Sequence, residues 1–187
     1  MIADVTVITP SIPGRGGMRA VAIASVEQQI IKPRAHLIGI DIARKGSARM
    51  RNHLAGAADT TWLAPLDDDD VLQPNHLQVL LSGKDNADVV YSYCHVDGRD
   101  WTPNRLFDEA ALRESNYIPI TTLIRRTLWE ELDGWHDSAR VPNGWEDHDF
   151  WVRALNAGAT FHCVPAVTWT YRFHHGNKTM LGELVAC

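Results

Sequence analysis

Long apolar runs are missing from this 187-residue chain. No stretch approaches the roughly 18–20 apolar residues that a bilayer span requires, so no membrane-crossing helix is expected. An excess of positive charge is missing too. Eighteen Lys and Arg against 23 Asp and Glu leave a formal net charge of −5, the wrong sign for holding nucleic acid by neutralising its phosphates. No nucleic-acid partner is expected. Cysteine is scarce: Cys94, Cys163 and Cys187 are odd in number, far apart and not in Cys-x-x-Cys spacing, which argues against a disulfide framework or a zinc site. Nine histidines supply no His-x-His or His-x-x-x-His set with a cysteine partner, and His174-His175 is the only close pair, so a zinc hydrolase is not indicated. The opening MIADVTVITPS lacks a basic region and an apolar run ending in small residues, so it reads as mature structure, with the cytoplasm as the expected compartment.

What is present is an alternation of strand-like and helix-like segments. With 45% hydrophobic and 22% charged residues, the composition is that of a folded globular domain. Asp4 to Pro10 is a β-branched run followed by the Gly-rich SIPGRGG and a helical pattern from Met18 to Ile30. His36 to Asp41 is a second strand, apolar enough to suggest cover on both faces. Ser47 to Ala58 reads as a helix capped by Ser47, and Thr61 to Leu66 as a third strand. A helix from about Asn75 to Ser82, a strand from Ala87 to Cys94 and an irregular segment from Val96 to Asn116 follow. That segment reads as a loop over the site with a short helical stretch near Asp108 to Glu114. Thr121 to Arg125 is a strand, Thr127 to Leu132 and Glu146 to Asn156 are helices closed by Gly134 and Gly158, and Thr160 to Cys163 and Val167 to Phe173 are two short final strands. The expected architecture is one α/β domain over 1–187, with a mostly parallel central sheet and helices on both faces.

One cluster carries chemistry. Asp67-Asp68-Asp69-Asp70 follows directly on the third strand. Adjacent carboxylates repel strongly where water is partly excluded, and a divalent cation relieves that repulsion. Mg²⁺ or Mn²⁺ takes carboxylate oxygens and completes its shell with water and phosphate, so acidic groups at a strand's C-terminal end suit a metal-bound diphosphate. An extended run would put Asp67 and Asp69 on one side, Asp68 and Asp70 on the other. A solvated acidic turn is the competing reading of such a run.

The order of motifs resembles a family 2-like glycosyltransferase of the GT-A fold, over most of the chain. The matching residues are Thr9-Pro10-Ser11 at the end of the first strand, Asp41 at the end of the second, Arg51-Asn52 in the next helix, LDDDDVLQP (66–74) in the position of the DxD motif, Gly134-Trp135, GWEDHDFWVRAL (144–155) and Tyr171-Arg172-Phe173-His174. The resemblance implies a metal-dependent inverting transferase that moves a sugar, of hexosyl type, from a nucleoside diphosphate sugar to an acceptor hydroxyl. It implies a nucleotide-sugar-binding half over 1–95 and an acceptor and catalytic-base half over 96–187. Thr9, Pro10, Arg15, Asp41, Arg51, Asp67 and Asp68 become candidate nucleotide contacts. Asp69, with Asp67 and His174, is the candidate set for Mn²⁺ or Mg²⁺, His175 being the alternative imidazole. Asp147 is the candidate general base, with Glu146 and Asp149 as competitors.

Only IARKGSARM separates Asp41 from Arg51, where the family commonly has a longer stretch, so the sequence does not assign the nucleobase. Trp135 and Trp145 flank the segment before Asp147, where an indole stacks on a sugar or fills the core. Against the resemblance the length is close to the minimum for a GT-A core. That leaves acceptor choice to a few loops or a partner subunit, and a homo-oligomer is compatible with it. The alternatives are a sugar nucleotidyltransferase, for which SIPGRGG offers only one arginine, and a non-catalytic sugar-nucleotide-binding protein on the same fold.

Overall fold

The computed structural model describes residues 1–99, 105–141 and 144–174. In chain order the elements are β1 (Ile2–Ser11), α1 (Gly16–Glu27), β2 (Lys32–Ile40), α2 (Ser47–Gly56), β3 (Trp62–Pro65), β4 (Val71–Leu72), α3 (His76–Ser82), β5 (Val89–Val96), α4 (Glu109–Glu114), β6 (Leu123–Arg125), α5 (Arg126–Glu131), α6 (Glu146–Asn156) and β7 (Phe161–Tyr171). The described strands form one sheet in the order β2-β1-β3-β6-β5-β7-β4. Pairing is parallel for β1 with β2 and β3 and for β5 with β7; β6 and β4 run against their neighbours. The α/β class with a mostly parallel sheet is as expected.

Period-two alternation splits the sheet's apolar residues between two cores. Ile8, Leu63, Val89 and Tyr91 face a core closed by α2, α5 and α6 through Leu54, Leu128, Phe150 and Trp151. Val5, Val7, Trp62, Ala64 and Val90 face a second core closed by α1 and α3 through Val26, Leu77 and Leu80. No described helix is long and apolar enough to cross a membrane.

Four local expectations are corrected. The second strand is not covered on both faces: β2 is the sheet edge, with Ile38 and Ile40 39% and 44% exposed. One face is closed, because Met50 and Leu54 of α2 press onto Gly39, where a Cβ would meet the Met50 sulfur at 2.2 Å. Ser47 does not cap α2. Gly46 holds that position at φ +105°, and Ser47 Oγ donates to Glu146 Oε1 instead. The two final strands are one, β7, whose register against β5 shifts between Ser92 and Tyr93 and again before Cys94, so that Pro165 bulges without ending the strand. Lastly, β4 is a two-residue strand that the Asp run masks. It pairs Val71 with Thr170 and Leu72 with Trp169.

Asn52 clamps the turn after α5. Its Oδ1 accepts from Trp135 N and Trp129 Nε1, and its Nδ2 donates to Trp135 O. Gly134 sits inside this clamp at φ +73°, and a Cβ there would lie 2.4 Å from Asn52 Oδ1. Gly134→Ala combines left-handed strain with overpacking and is expected to lower stability by about 2–4 kcal/mol, read as a reduced urea midpoint with an unchanged slope.

Candidate active site

Strands β1, β2, β3 and β7 end on one edge of the sheet, and α2 and α6, running back against them, open their N-termini there. Ligands bind open α/β sheets at this edge. A cleft of about 650 Å³ occupies it, within the size range of small-ligand sites. Pro10 and Ser11 from β1, Arg15 before α1, Asp41 after β2, Ser47 and Arg51 of α2, Asp67 to Asp69, Asn116, Tyr171, and Trp145, Glu146 and Asp147 at the head of α6 line it.

The Asp run does not alternate as an extended strand. Asp70 N donates to Asp67 O at 3.2 Å, closing a turn, and each carboxylate finds its own partners. Asp67 Oδ1 accepts from Arg51 at 2.6 Å. Asp68 accepts from Ser11 Oγ at 2.6 Å and from Arg15 at 2.8 Å. Asp69 Oδ2 accepts from the same Arg15 guanidinium at 2.9 Å and lies 3.0 Å from His174 Nε2. Asp70, 3% exposed, accepts from the Arg172 backbone N–H. The Arg172 side chain ties the turn down by donating to the carbonyls of Asp69, Asp68 and Met18. Burial pushes Asp70 well above the ordinary carboxylate range, with Asp69 and Asp67 adding to it. Asp67 is raised for the same first reason, with Arg51 opposing.

The β4–β7 pairing delivers these partners. Because Val71 lies opposite Thr170, the turn just before β4 meets the residues just after β7, and His174 reaches Asp69 across a sequence gap of more than a hundred residues. Among the described residues no three acidic, imidazole or thiol groups converge as a ready-made cation site. Asp67 is turned to Arg51 and so is not gathered with Asp69 and His174. His175 and Cys187 lie outside the described residues, as do residues 100–104 of the loop.

At the other wall, Arg51 is 4% exposed and bridges Asp67 to Glu146 Oε1, 3.3 Å away. Burial works against its charge, but Asp67 and Glu146 more than compensate and hold it protonated. Of the three candidate bases, Glu146 is tied to Arg51 and Ser47, and Asp149 to Arg153 at 2.8 Å and His136 at 3.0 Å. Among the described residues Asp147 has only neutral donors in direct contact: His148 N at 2.9 Å and Asn116 Nδ2 at 3.1 Å, both on Oδ1. Burial raises its pKa above the ordinary carboxylate value, and the neighbouring Glu146 charge adds to this.

Not every expected contact faces the cleft. Thr9 is fully buried, its Oγ1 2.9 Å from His36 Nε2 on β2, so its side chain is engaged within the sheet and does not line the cleft. Asp41 lines the cleft but uses Oδ2 to accept from Gly46 N at 2.7 Å, shaping its own turn. The backbone N–H groups of Lys45 and Gly46 lower its pKa. Trp135 is 2% exposed and packs on Phe150 at 5.2 Å, so it belongs to the core, whereas Trp145 lines the cleft. Sequence reasoning gave no individual role to Ser11, Asn116 or Arg172. Ser11 and Arg172 carried a signal through their places in Thr9-Pro10-Ser11 and Tyr171-Arg172-Phe173-His174, and Asn116 carried none.

The glycosyl transferase family 2 model matches residues 19–140. The succinoglycan biosynthesis protein ExoO of Rhizobium meliloti (strain 1021) is 33% identical over 167 residues, covering 78% of this chain and 47% of that protein. The chain thus spans about half the length of this curated relative. Among solved structures, S. aureus TarS 1-349 superposes with a TM-score of 0.72 at 13% identity, covering 90% of this chain and 60% of that one. The same TarS segment in complex with UDP-GlcNAc gives a TM-score of 0.72 at 12% identity, covering 98% and 61%. These likenesses show a shared GT-A fold, and the model match across residues 19–140 shows the lineage: the chain belongs to glycosyl transferase family 2 and carries that family's glycosyltransferase domain.

Proposed function

We propose that the cleft binds a nucleoside diphosphate sugar and transfers the sugar to an acceptor hydroxyl with inversion, Asp147 acting as general base. The observation that carries this reading is the arrangement of the acids at the head of α6. Glu146 and Asp149 are engaged by arginines, while Asp147 faces the same cleft as Asp69 with no cation in contact among the described residues. A base must accept a proton near neutral pH, and burial without a neutralising partner suits a carboxylate for that task. The donor class is supported by the UDP-GlcNAc complex of TarS.

The Asp69 carboxylate and the His174 imidazole suit Mn²⁺, with diphosphate and water oxygens completing the shell, and they would hold it. When bound, such a cation supplies positive charge to the departing diphosphate. Arg15, on Asp68 and Asp69, stands at the same end of the cleft as a second positive charge. Asp147 takes the proton of the acceptor hydroxyl as that oxygen bonds to the anomeric carbon. The bond from that carbon to the diphosphate breaks on the opposite face, and its electron pair leaves with the diphosphate.

The test is a panel of UDP-, GDP- and dTDP-sugars with Mn²⁺, assayed for nucleotide release with and without EDTA. Slow donor hydrolysis abolished by EDTA is expected. A rise in melting temperature without any release would sink the catalytic reading, and pyrophosphate formation from a triphosphate and a sugar phosphate would replace it. Asp69→Asn is expected to weaken Mn²⁺ binding by about 10–100-fold, read from the free Mn²⁺ signal in electron paramagnetic resonance.

A further inference from the structure

We propose that Asn116 is the positioning residue of Asp147, fixing its Oδ1 so that Oδ2 is the oxygen that receives the acceptor proton. This rests on the reading of Asp147 as the base. Asn116 lies between α4 and β6, far from α6 in sequence, yet both side chains line the cleft and meet at 3.1 Å. Oδ1 also accepts from His148 N at 2.9 Å. Two donors on one oxygen leave the other as the proton acceptor and stop the carboxylate from rotating.

The segment that carries Asn116 is itself anchored on both sides. Ser115 donates its N and Oγ to Ala111 O of α4. Tyr117 OH exchanges hydrogen bonds with the Asp108 backbone. Ile118 O accepts from Trp151 Nε1 at 3.0 Å. Trp151 lies one helical turn beyond Asp147 on α6, so the helix that presents the base also grips the segment that orients it. Support of this kind is what holds a reacting group in one geometry.

A neutral donor is chemically the right choice. A cation at this distance would hold the carboxylate too acidic to take a proton, whereas no partner would leave it free to turn. Among the described residues the charges facing Asp147 are Glu146, which raises its pKa, and Arg51, which lowers it. The His148 imidazole is turned to Leu112 O at 2.7 Å, and Asp149 is held by Arg153 and His136. The Asn116 bond works against the burial that raises Asp147.

The experiment follows the Asp147 carboxyl by ¹³C NMR in the ligand-free protein, its resonance identified by loss in Asp147→Asn, beside the pH profile of donor hydrolysis. In Asn116→Ala the titration midpoint is expected to rise by about half to one pH unit, the equivalent of one lost hydrogen bond. The acid limb of the hydrolysis profile moves by the same amount, kcat falls about tenfold and donor KM stays within about twofold. Asn116→Asp, which keeps the shape but adds a like charge, is expected to raise the midpoint further. An unmoved midpoint overturns the inference and leaves the base assignment standing, and so does a rise in donor KM with an unmoved midpoint, which would make Asn116 a sugar contact. A midpoint that moves while the hydrolysis profile stays put overturns the base assignment and, with it, the role of Asn116 in turnover.

Discussion

Asp147→Asn is expected to lower the rate of donor cleavage by about 10²–10⁴-fold, the usual worth of a general base, while UDP-type donors bind within about twofold of the parent protein. The amide keeps the shape and the contacts of Oδ1 but cannot accept a proton. The pH dependence has a definite sign. Burial raises the Asp147 pKa, so with Asp147 as the base the parent protein is expected to gain activity as pH rises through an acid limb above the ordinary carboxylate range of about 4. The same shift sets the stability effect. With the folded pKa above the unfolded one, the contribution of this carboxyl to stability is fully present below the unfolded value and is lost as pH rises through the folded one. Asp147→Asn should therefore melt at or above the parent temperature at neutral pH, which separates lost chemistry from lost fold. Retained cleavage with full stability would remove Asp147 from the base role.

Arg51→Met should be the most disruptive single change to the fold of the site. Arg51 lies 2.6 Å from Asp67 and 3.3 Å from Glu146. Its removal leaves the buried Glu146 and the 32% exposed Asp67 carboxylates without their shared cation, which costs about 2–4 kcal/mol, less than for a fully buried pair because water screens Asp67. The penalty arises from the abandoned negative charges and not from any intrinsic worth of the ion pair. Adding Asp67→Asn and Glu146→Gln to Arg51→Met is expected to recover most of the lost stability, and a double-mutant cycle by urea unfolding measures the coupling. If the triple variant is no more stable than Arg51→Met, the network does not act as a charge balance. Activity should not return in the triple variant, because the N-terminus of α6 would keep its Ser47 bond to α2 but lose the Arg51 bridge that joins it to the aspartate turn.

Much of this was legible in the amino-acid sequence, for identifiable reasons. Helix α6 was readable over its full length because Phe150, Trp151 and Ala154 recur at helical spacing behind an acidic first turn. The four-aspartate run announced itself, and the strand before it was uniformly apolar. What was hidden depends on partners distant in sequence. The directions of Asp67, Asp68 and Asp69 are set by Arg51, Arg15 and Ser11, and no local periodicity encodes such pairings. Ser47 carries the chemistry of a helix cap, yet its hydroxyl is claimed by Glu146, 99 residues away. Strand β4 has two residues, too few for any alternation to register. Pro165 reads as a break, whereas in β7 the register shift accommodates it. Asn116 sits in a polar, irregular stretch with no motif around it.

The shifts in β7 have one more consequence. Between Ser92 and Cys94 the partner strand advances from Val164 to Trp169, so β7 takes up more chain than β5 before it reaches the cleft. The phase of everything downstream is set by that surplus: Thr170 opposite Val71, Arg172 over the aspartate turn, His174 beside Asp69. Removing one residue near Pro165 would turn Thr170 to the opposite side of the strand, because a shift of one inverts a two-residue repeat, and would displace Arg172 and His174, which follow the strand, by one residue. Chain length upstream, as much as side-chain identity at the site, therefore determines which residues face the aspartate end of the cleft. Substitution and deletion at the bulge are different operations, the first local and the second felt at the far end of the strand.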